Sequence, residues 1–271
     1  AFLLMDLDYH YHPDLARVFL GEYCRLTGDY GCISLVDFYK VYRAFVRGKV
    51  ASLTMQDNEL SQNERDSALA TAINYFRLAR GYILRSNLPQ TLVMVGGMIG
   101  SGKSTVARDL GRELGVEVLS SDRVRKELFQ THRIKQGESG QGIYTNEADT
   151  LTYSELFKRS MNLLENRQSV IVDATFRRTS DRDRFRQGAC VAGAAVCLAI
   201  TEADEETILR RLADRRERPD RYSDAGMNIF PILAASFEWP DPLTEHFVTA
   251  PTAGHVSEGV DAILKELELI T

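Results

Sequence analysis

The hydrophobic period of this chain changes once, near residue 90. Before that point apolar residues recur three and four positions apart, which predicts helices. "PDLARVFLGEYCRLTG" opens on Pro13, suited to a first helical turn, and closes on Gly28, a helix stop. "SLVDFYKVYRAFVRGKVASL" places Leu35, Phe38, Tyr39, Tyr42, Phe45 and Val46 on one stripe, which Val50 and Leu53 extend. "SQNERDSALATAINYFRLARGYIL" begins with Ser61 and Glu64 at the spacing of a capping box. "RSNLPQ" (85–90) then breaks the helical pattern, dividing the chain into residues 1–88 and 89–271.

From Thr91 onward short apolar runs take over. "TLVMV", "VEVLS", "VIVDA" (170–174), "AAVCLAI" (194–200) and "HFVTA" (246–250) are predicted strands. Helical patterns lie between them, from the first Gly-rich loop to about Leu114 and over 146–166, 180–190, 204–216, 228–237 and 256–269. Such alternation implies an α/β fold whose parallel sheet is covered on both faces, preceded by a small all-α segment. Gly137, Gly140 and Gly142 make "KQGESGQG" an expected mobile loop.

The strongest chemical signal is "GGMIGSGKST", set between a strand and a helix. Gly97, Gly102, Lys103 and Ser104 satisfy GxxxxGK[ST]. Its glycines let backbone N–H groups converge on phosphate oxygens at a helix N-terminus. Lys103 then bridges the β- and γ-phosphates, and Ser104 offers a hydroxyl to Mg²⁺. Asp122 follows the second strand, where ligands of open α/β sheets gather. A carboxylate there can take a proton from an acceptor hydroxyl, and Arg125, one helical turn on, can hold an anionic part of that acceptor. Helix capping by Ser121 or Asp122 is the structural alternative. Asp173 closes the apolar strand "VIVDATF", the position of a Walker B carboxylate that holds Mg²⁺; the alternative is an anion for the next helix N-terminus. Thr175 is a weaker candidate for the same pocket.

Composition modifies this picture at three points. The length of 271 residues suits two domains. A net charge of -5 argues against a general nucleic-acid coat or a binder of anionic membranes. Yet Arg177, Arg178, Arg182, Arg184 and Arg186, then Arg210, Arg211, Arg215, Arg216, Arg218 and Arg221, crowd one region and make a local anion site compatible with an acidic whole. Arg211, Arg215 and Arg218 share a helix face if the helix continues, with Pro219 and Gly226 bracketing a loop. This segment is expected to close over the nucleotide, Arg215 first and Arg218 second; interleaved Asp214, Glu217 and Asp220 make some of these arginines surface pairs. Arg178 and Arg182 are weaker substrate-anion candidates. Cys24, Cys32, Cys190 and Cys197 form no CxxC pair, so buried free thiols are expected, especially for the last two in their apolar run. No run of about 18 apolar residues predicts a membrane span, no signal peptide is visible, and the cytoplasm is the expected location. His10 and His12 read as a solvated loop, Trp239 as packing, and Tyr9, Tyr11, Tyr23, Tyr39 and Tyr42 as core and rim of the helical segment.

These residues carry a resemblance. "GGMIGSGKST", "SSDRVRKEL", "VIVDATF", "RTSDRDRFR" and "RRLADRRERPDRYSDAG" are similar to the P-loop kinases related to phage polynucleotide kinase, gluconate kinase and zeta toxins. The resemblance implies strand order 2-3-1-4-5 and ATP with Mg²⁺ as cofactors. It makes Asp122 the general base, Arg125 a contact to acceptor phosphate, and Arg215 and Arg218 contacts to the donor. Gly97, Gly100, Ser101, Gly102, Lys103, Ser104 and Thr105 would grip the nucleotide. Residues 1–88 resemble the C-terminal helical part of an aminoglycoside-phosphotransferase-like domain, found fused ahead of this kinase in predicted bifunctional bacterial proteins. The phosphotransferase catalytic pattern HGDxHxxN is absent, so its upstream half is an expected partner if the chain is a fragment. The expected activity is ATP–Mg²⁺-dependent phosphorylation of a hydroxyl on a small polar molecule, nucleotide or nucleic-acid end. An NTPase switch and a non-catalytic nucleotide-binding module are the alternatives; no NKxD guanine-reading element supports a GTPase.

Overall fold

The computed structural model describes residues 1–57, 59–131, 146–216 and 234–270. The chain divides into two compact units, one of Ala1–Leu88 with Arg108–Glu117 and one of Pro89–Ala107 with Val118–Thr271.

The first unit is helical: α1 (Phe2–Tyr9), α2 (Pro13–Thr27), α3 (Ile33–Thr54) and α4 (Gln62–Asn87). Pro13 opens α2, and Gly28 closes it at φ 72°, a left-handed cap that only glycine adopts without strain. At α4 the capping box is formed: Ser61 Oγ accepts from the Glu64 N–H, and Glu64 Oε2 accepts from the Ser61 N–H at 2.8 Å. Helix α1 is missing from the sequence reading, because eight residues with a buried Leu4–Met5 pair are too short to show a period. His10 and His12 lie between α1 and α2, as expected.

The apolar stripe of α3 points outward, the reverse of the usual amphipathic arrangement. Leu35, Phe38, Tyr39, Tyr42 and Phe45 are all exposed, and the buried residues of α3 are Lys40, Ala44 and Gly48. Size and charge pairing explain the reversal. A Cβ on Gly48 would lie 2.9 Å from the Phe76 ring, so the small side of α3 allows close approach to α4. Lys40 pairs with buried Asp8, which also accepts a 2.6 Å hydrogen bond from the Tyr82 hydroxyl. Burial pulls the Lys40 ammonium below its ordinary pKa, with Asp8 opposing. The core here comprises Met5, Ala44, Tyr75, Leu78, Ala79 and Tyr82. Of the five tyrosines expected as core and rim, Tyr9 stacks on Tyr75 at 4.0 Å, and Tyr11, Tyr23, Tyr39 and Tyr42 are exposed.

The same unit holds the far half of α5 (Lys103–Leu114), the helix that follows the Gly-rich loop. Arg77 Nε donates to buried Glu113 at 2.5 Å, and Arg85 donates to the Gly115 carbonyl at 2.9 Å. A Cβ on Gly81 of α4 would fall on the carbonyl oxygen of Glu113, so glycine is what lets the two backbones touch.

In the second unit a five-stranded parallel sheet runs β2–β3–β1–β4–β5. Its strands are β1 (Thr91–Gly97), β2 (Glu117–Ser120), β3 (Val170–Asp173), β4 (Ala195–Glu202) and β5 (Val248–Pro251). The helices are α5, α6 (Ser121–Thr131), α7 (Asn146–Glu165), α8 (Thr179–Val191), α9 (Glu205–Arg216) and α10 (Val256–Glu268). All seven residues of β1 are buried, as the central strand of a sheet covered on both faces requires. Register sets the functional end: Asp173 pairs with Val95, and Thr201 pairs with both Gly97 and Ala250.

The cysteines are free, and Cys24 and Cys197 are buried, the latter thiol pushed up to about 12 by burial. Cys190 departs from expectation: it is exposed, lying on the outer side of α8. Trp239 is also more than half exposed, tilted against Phe237 at 4.6 Å. Among the described residues no helix is long and apolar enough to cross a membrane. The "KQGESGQG" loop and most of the predicted helix 228–237 lie outside the described residues.

Candidate nucleotide and phosphoryl-transfer site

The Gly-rich loop is built by backbone geometry that the sequence demanded. Gly97, Gly100 and Gly102 have φ of 137°, 80° and 94°. A Cβ on Gly97 would strike Thr201 Oγ1, and one on Gly100 would sit 3.0 Å from Ile208. Two threonines that sequence reasoning missed pin the loop from behind. Thr201 Oγ1 donates to the Gly96 carbonyl at 2.9 Å and lies 2.6 Å from Ser101 Oγ. Thr252 Oγ1 is 2.5 Å from the Ser101 carbonyl, and Arg211 donates to Thr252 through both its hydroxyl and its carbonyl oxygen. Nothing in a single threonine signals such a role; only the strand register reveals it. Lys103 and Ser104 open α5, and Thr105 N–H donates to the Gly102 carbonyl at 3.0 Å.

Asp173 stands at the end of β3, 3% exposed. Burial pushes its carboxyl above the usual range; Lys103 and hydrogen bonds from Ser104 and Ser120 pull it down, and Asp122 pushes it up. The four groups named by the sequence, Lys103, Ser104, Asp122 and Asp173, are therefore electrostatic neighbours. Among the described residues Asp173 Oδ1 has no hydrogen-bond partner although buried, an arrangement that costs stability unless something binds it. An orphaned carboxylate oxygen beside a hydroxyl is a donor set that fits Mg²⁺.

Asp122 sits in the first turn of α6 with its side chain 28% exposed, open to an approaching molecule. Arg125 is 3.8 Å from Asp122 and makes a 2.7 Å bond to Asp149 Oδ1. Asp149 also accepts from Arg177 at 3.3 Å. Arg178, the N-cap of α8, lines a cleft with Asp149 and Arg177.

Arg182 is corrected. It is wholly buried, gripping Glu245 with two bonds of 2.8 and 2.6 Å and donating to the carbonyls of Phe176 and Glu238 and to Thr179 Oγ1. Every donor direction is spent inside the fold, so Arg182 is a structural tie and not a ligand for substrate. Arg215 belongs to the last turn of α9, but its side chain, and the whole of Arg218, lie outside the described residues.

Comparison with known proteins agrees with this architecture. A family model for AAA domains, AAA_33, matches residues 92–240. The uncharacterized protein Rv2004c of Mycobacterium tuberculosis is 33% identical over 242 residues, a match covering 87% of this chain and 45% of that protein. The chain thus spans about half the length of the curated relatives it matches. A sugar kinase from Janibacter sp. superposes with a TM-score of 0.50 at 20% identity, covering 66% of this chain and 95% of that one. Kti12 of Chaetomium thermophilum, solved in complex with ADP-AlF3, gives 0.50 at 18% identity, covering 66% and 99%. At these identities the likeness establishes the fold.

Proposed function

The chain belongs to the AAA_33 family of AAA domains, and from that premise we propose that it is an ATP–Mg²⁺-dependent kinase that phosphorylates a hydroxyl on a small polar molecule, a nucleotide or a nucleic-acid end. The observation that carries this reading is the meeting of two carboxylates with the phosphate loop: Asp173 feels Lys103, Ser104 and Asp122 together. Beyond the carboxylate that would hold the metal, a second and accessible one can accept the proton of an attacking hydroxyl.

In the proposed reaction the loop amides and Lys103 hold the triphosphate. Asp122 takes the proton of the acceptor hydroxyl as its oxygen bonds to the γ-phosphorus, and the bond to the β–γ bridging oxygen breaks, releasing ADP. Ser104 and Asp173 would hold Mg²⁺, whose charge offsets that of the phosphates. Arg215 and Arg218 are proposed to neutralise the transferred group. Residues 1–88 are proposed to be the helical part of an aminoglycoside-phosphotransferase-like domain; the outward apolar side chains of α2 and α3 are what such a part would bury against the remainder of that domain.

The test is transfer from γ-labelled ATP to a panel of nucleic-acid ends, nucleosides, sugars and aminoglycosides. Asp122→Asn is expected to lower kcat by at least 10²-fold with nucleotide affinity preserved, the scale of general-base catalysis. Lys103→Ala should abolish transfer. Full activity in Asp122→Asn, or nucleotide hydrolysis with no phosphorylated acceptor, would refute the kinase reading, the latter in favour of an NTPase switch.

A further inference from the structure

Thr201 and Thr252 are both 1% exposed, and each gives its hydroxyl to a carbonyl of the phosphate loop. The two bonds look alike but serve different peptides. A trans peptide is planar and points its N–H opposite to its C=O, so whatever holds a loop carbonyl from behind also aims the next residue's amide. Thr201 holds the Gly96 carbonyl, and the amide it aims is that of Gly97, which donates inside the fold to the Thr175 carbonyl at 3.1 Å. Thr252 holds the Ser101 carbonyl, and the amide it aims is that of Gly102. Gly102 stands immediately before α5, its carbonyl accepting from the Thr105 and Val106 N–H groups at 3.0 and 3.1 Å. An amide there belongs to the helix N-terminus, where phosphates are gripped.

Thr252 is itself held in place. Just past β5, its backbone N–H donates to the carbonyl of Glu202, the last residue of β4, at 2.9 Å. Arg211 of α9 donates to its hydroxyl oxygen at 3.3 Å and also to its carbonyl oxygen. A hydroxyl has one proton to give; the nearest acceptor is the Ser101 carbonyl at 2.5 Å, with the Glu202 carbonyl next at 3.0 Å. A donor on the hydroxyl oxygen strengthens the bond that the hydroxyl makes in turn. Packing agrees, since a Cβ on Gly102 would lie 3.2 Å from the Thr252 Cβ. The threonine stands directly behind the loop.

We propose that Thr252 is a positioning residue for the nucleotide: it turns the Ser101–Gly102 peptide so that the Gly102 N–H faces the bound phosphates, while Thr201 serves the fold of the loop. The inference rests on the nucleotide-holding part of the kinase reading above and is independent of the acceptor. The ligand portion it acts on is the diphosphate of a nucleoside di- or triphosphate, without regard to base or sugar. Removing the hydroxyl frees that peptide to rotate, and the loss falls on the anion rather than on the base.

The experiment is calorimetry on the whole chain with two probes, Mg²⁺–ADP and pyrophosphate, the second having neither base nor sugar. Thr252→Val keeps the shape of the side chain and loses the hydroxyl. It is expected to bind both probes about tenfold more weakly, the contribution of one hydrogen bond to a charged group. Thr252→Ser should return both affinities to within about threefold of the wild type, and Thr201→Val should lose far less than Thr252→Val. Thermal unfolding without nucleotide shows that each variant folds; if Thr252→Val does not, Thr252→Cys, whose S–H is a weak donor, takes its place. Undiminished binding in Thr252→Val, a loss that serine does not restore, a loss for ADP but not for pyrophosphate, or an equal loss in Thr201→Val overturns the proposal. Wild-type protein that binds neither probe overturns it together with the kinase reading. Phosphoryl transfer, scored separately with labelled ATP, bears on the kinase reading alone.

Discussion

Arg182 and Arg184 are two residues apart on one helix and have opposite fates. The first points into the fold and is consumed by Glu245; the second lies over an aromatic ring at the surface. The Arg182–Glu245 tie yields a stability prediction. Hydrogen bonds from Arg182 hold the Glu245 carboxyl below its ordinary range, burial opposes, and Arg186 assists. A carboxylate depressed in the folded state contributes stability that is present above the unfolded value, near 4.3, and is lost as pH falls through the folded value. Urea titrations of the wild type should therefore show stability declining below about pH 4.3, with a shallower decline in Glu245→Gln. At pH 7 that variant is expected to be less stable by about 3–5 kcal/mol, since it strands a buried guanidinium.

Among elements, α5 carries the most consequence. Its first turn bears Lys103 and Ser104, while Glu113 near its end is clasped by Arg77 of α4. The closeness of α4 to this helix end depends on Gly81. Gly81→Ala is expected to cost about 3 kcal/mol or more, because the collision is with backbone that cannot rotate away. Gly21→Ala in α2 is the control, as its added Cβ meets nothing within 4 Å. It should stabilise by about 0.5–1 kcal/mol through helix propensity alone. Chemical denaturation of the two variants separates the effects; equal behaviour would contradict the packing described for α4.

For the molecule as a whole, the division of α5 between units bears on whether the α/β part can stand alone. Residues 108–117 group with the first 88 residues, and buried Glu113 among them pairs with Arg77 of α4. A chain of residues 89–271 alone would bare this segment. It is expected to be insoluble, or to lack a cooperative thermal transition, whereas the full chain unfolds cooperatively. A soluble truncated protein with a sharp transition and full nucleotide affinity would mean that the helical segment is dispensable to the phosphate loop.

Features governed by neighbours in sequence were legible in the sequence: the glycines of the phosphate loop, the caps of α2 and α4, and the strand–helix alternation of the second unit, whose order 2-3-1-4-5 only the family resemblance implied. Their physics is local, since a positive φ, a cap or a period of two or 3.6 is set within a few residues. Tertiary structure alone decided which face of α3 is buried, which arginine is spent on Glu245, and which threonines brace the loop behind Gly97. Those outcomes rest on residues roughly 30 to 150 positions apart meeting in space, and a one-dimensional pattern holds no record of which of them meet.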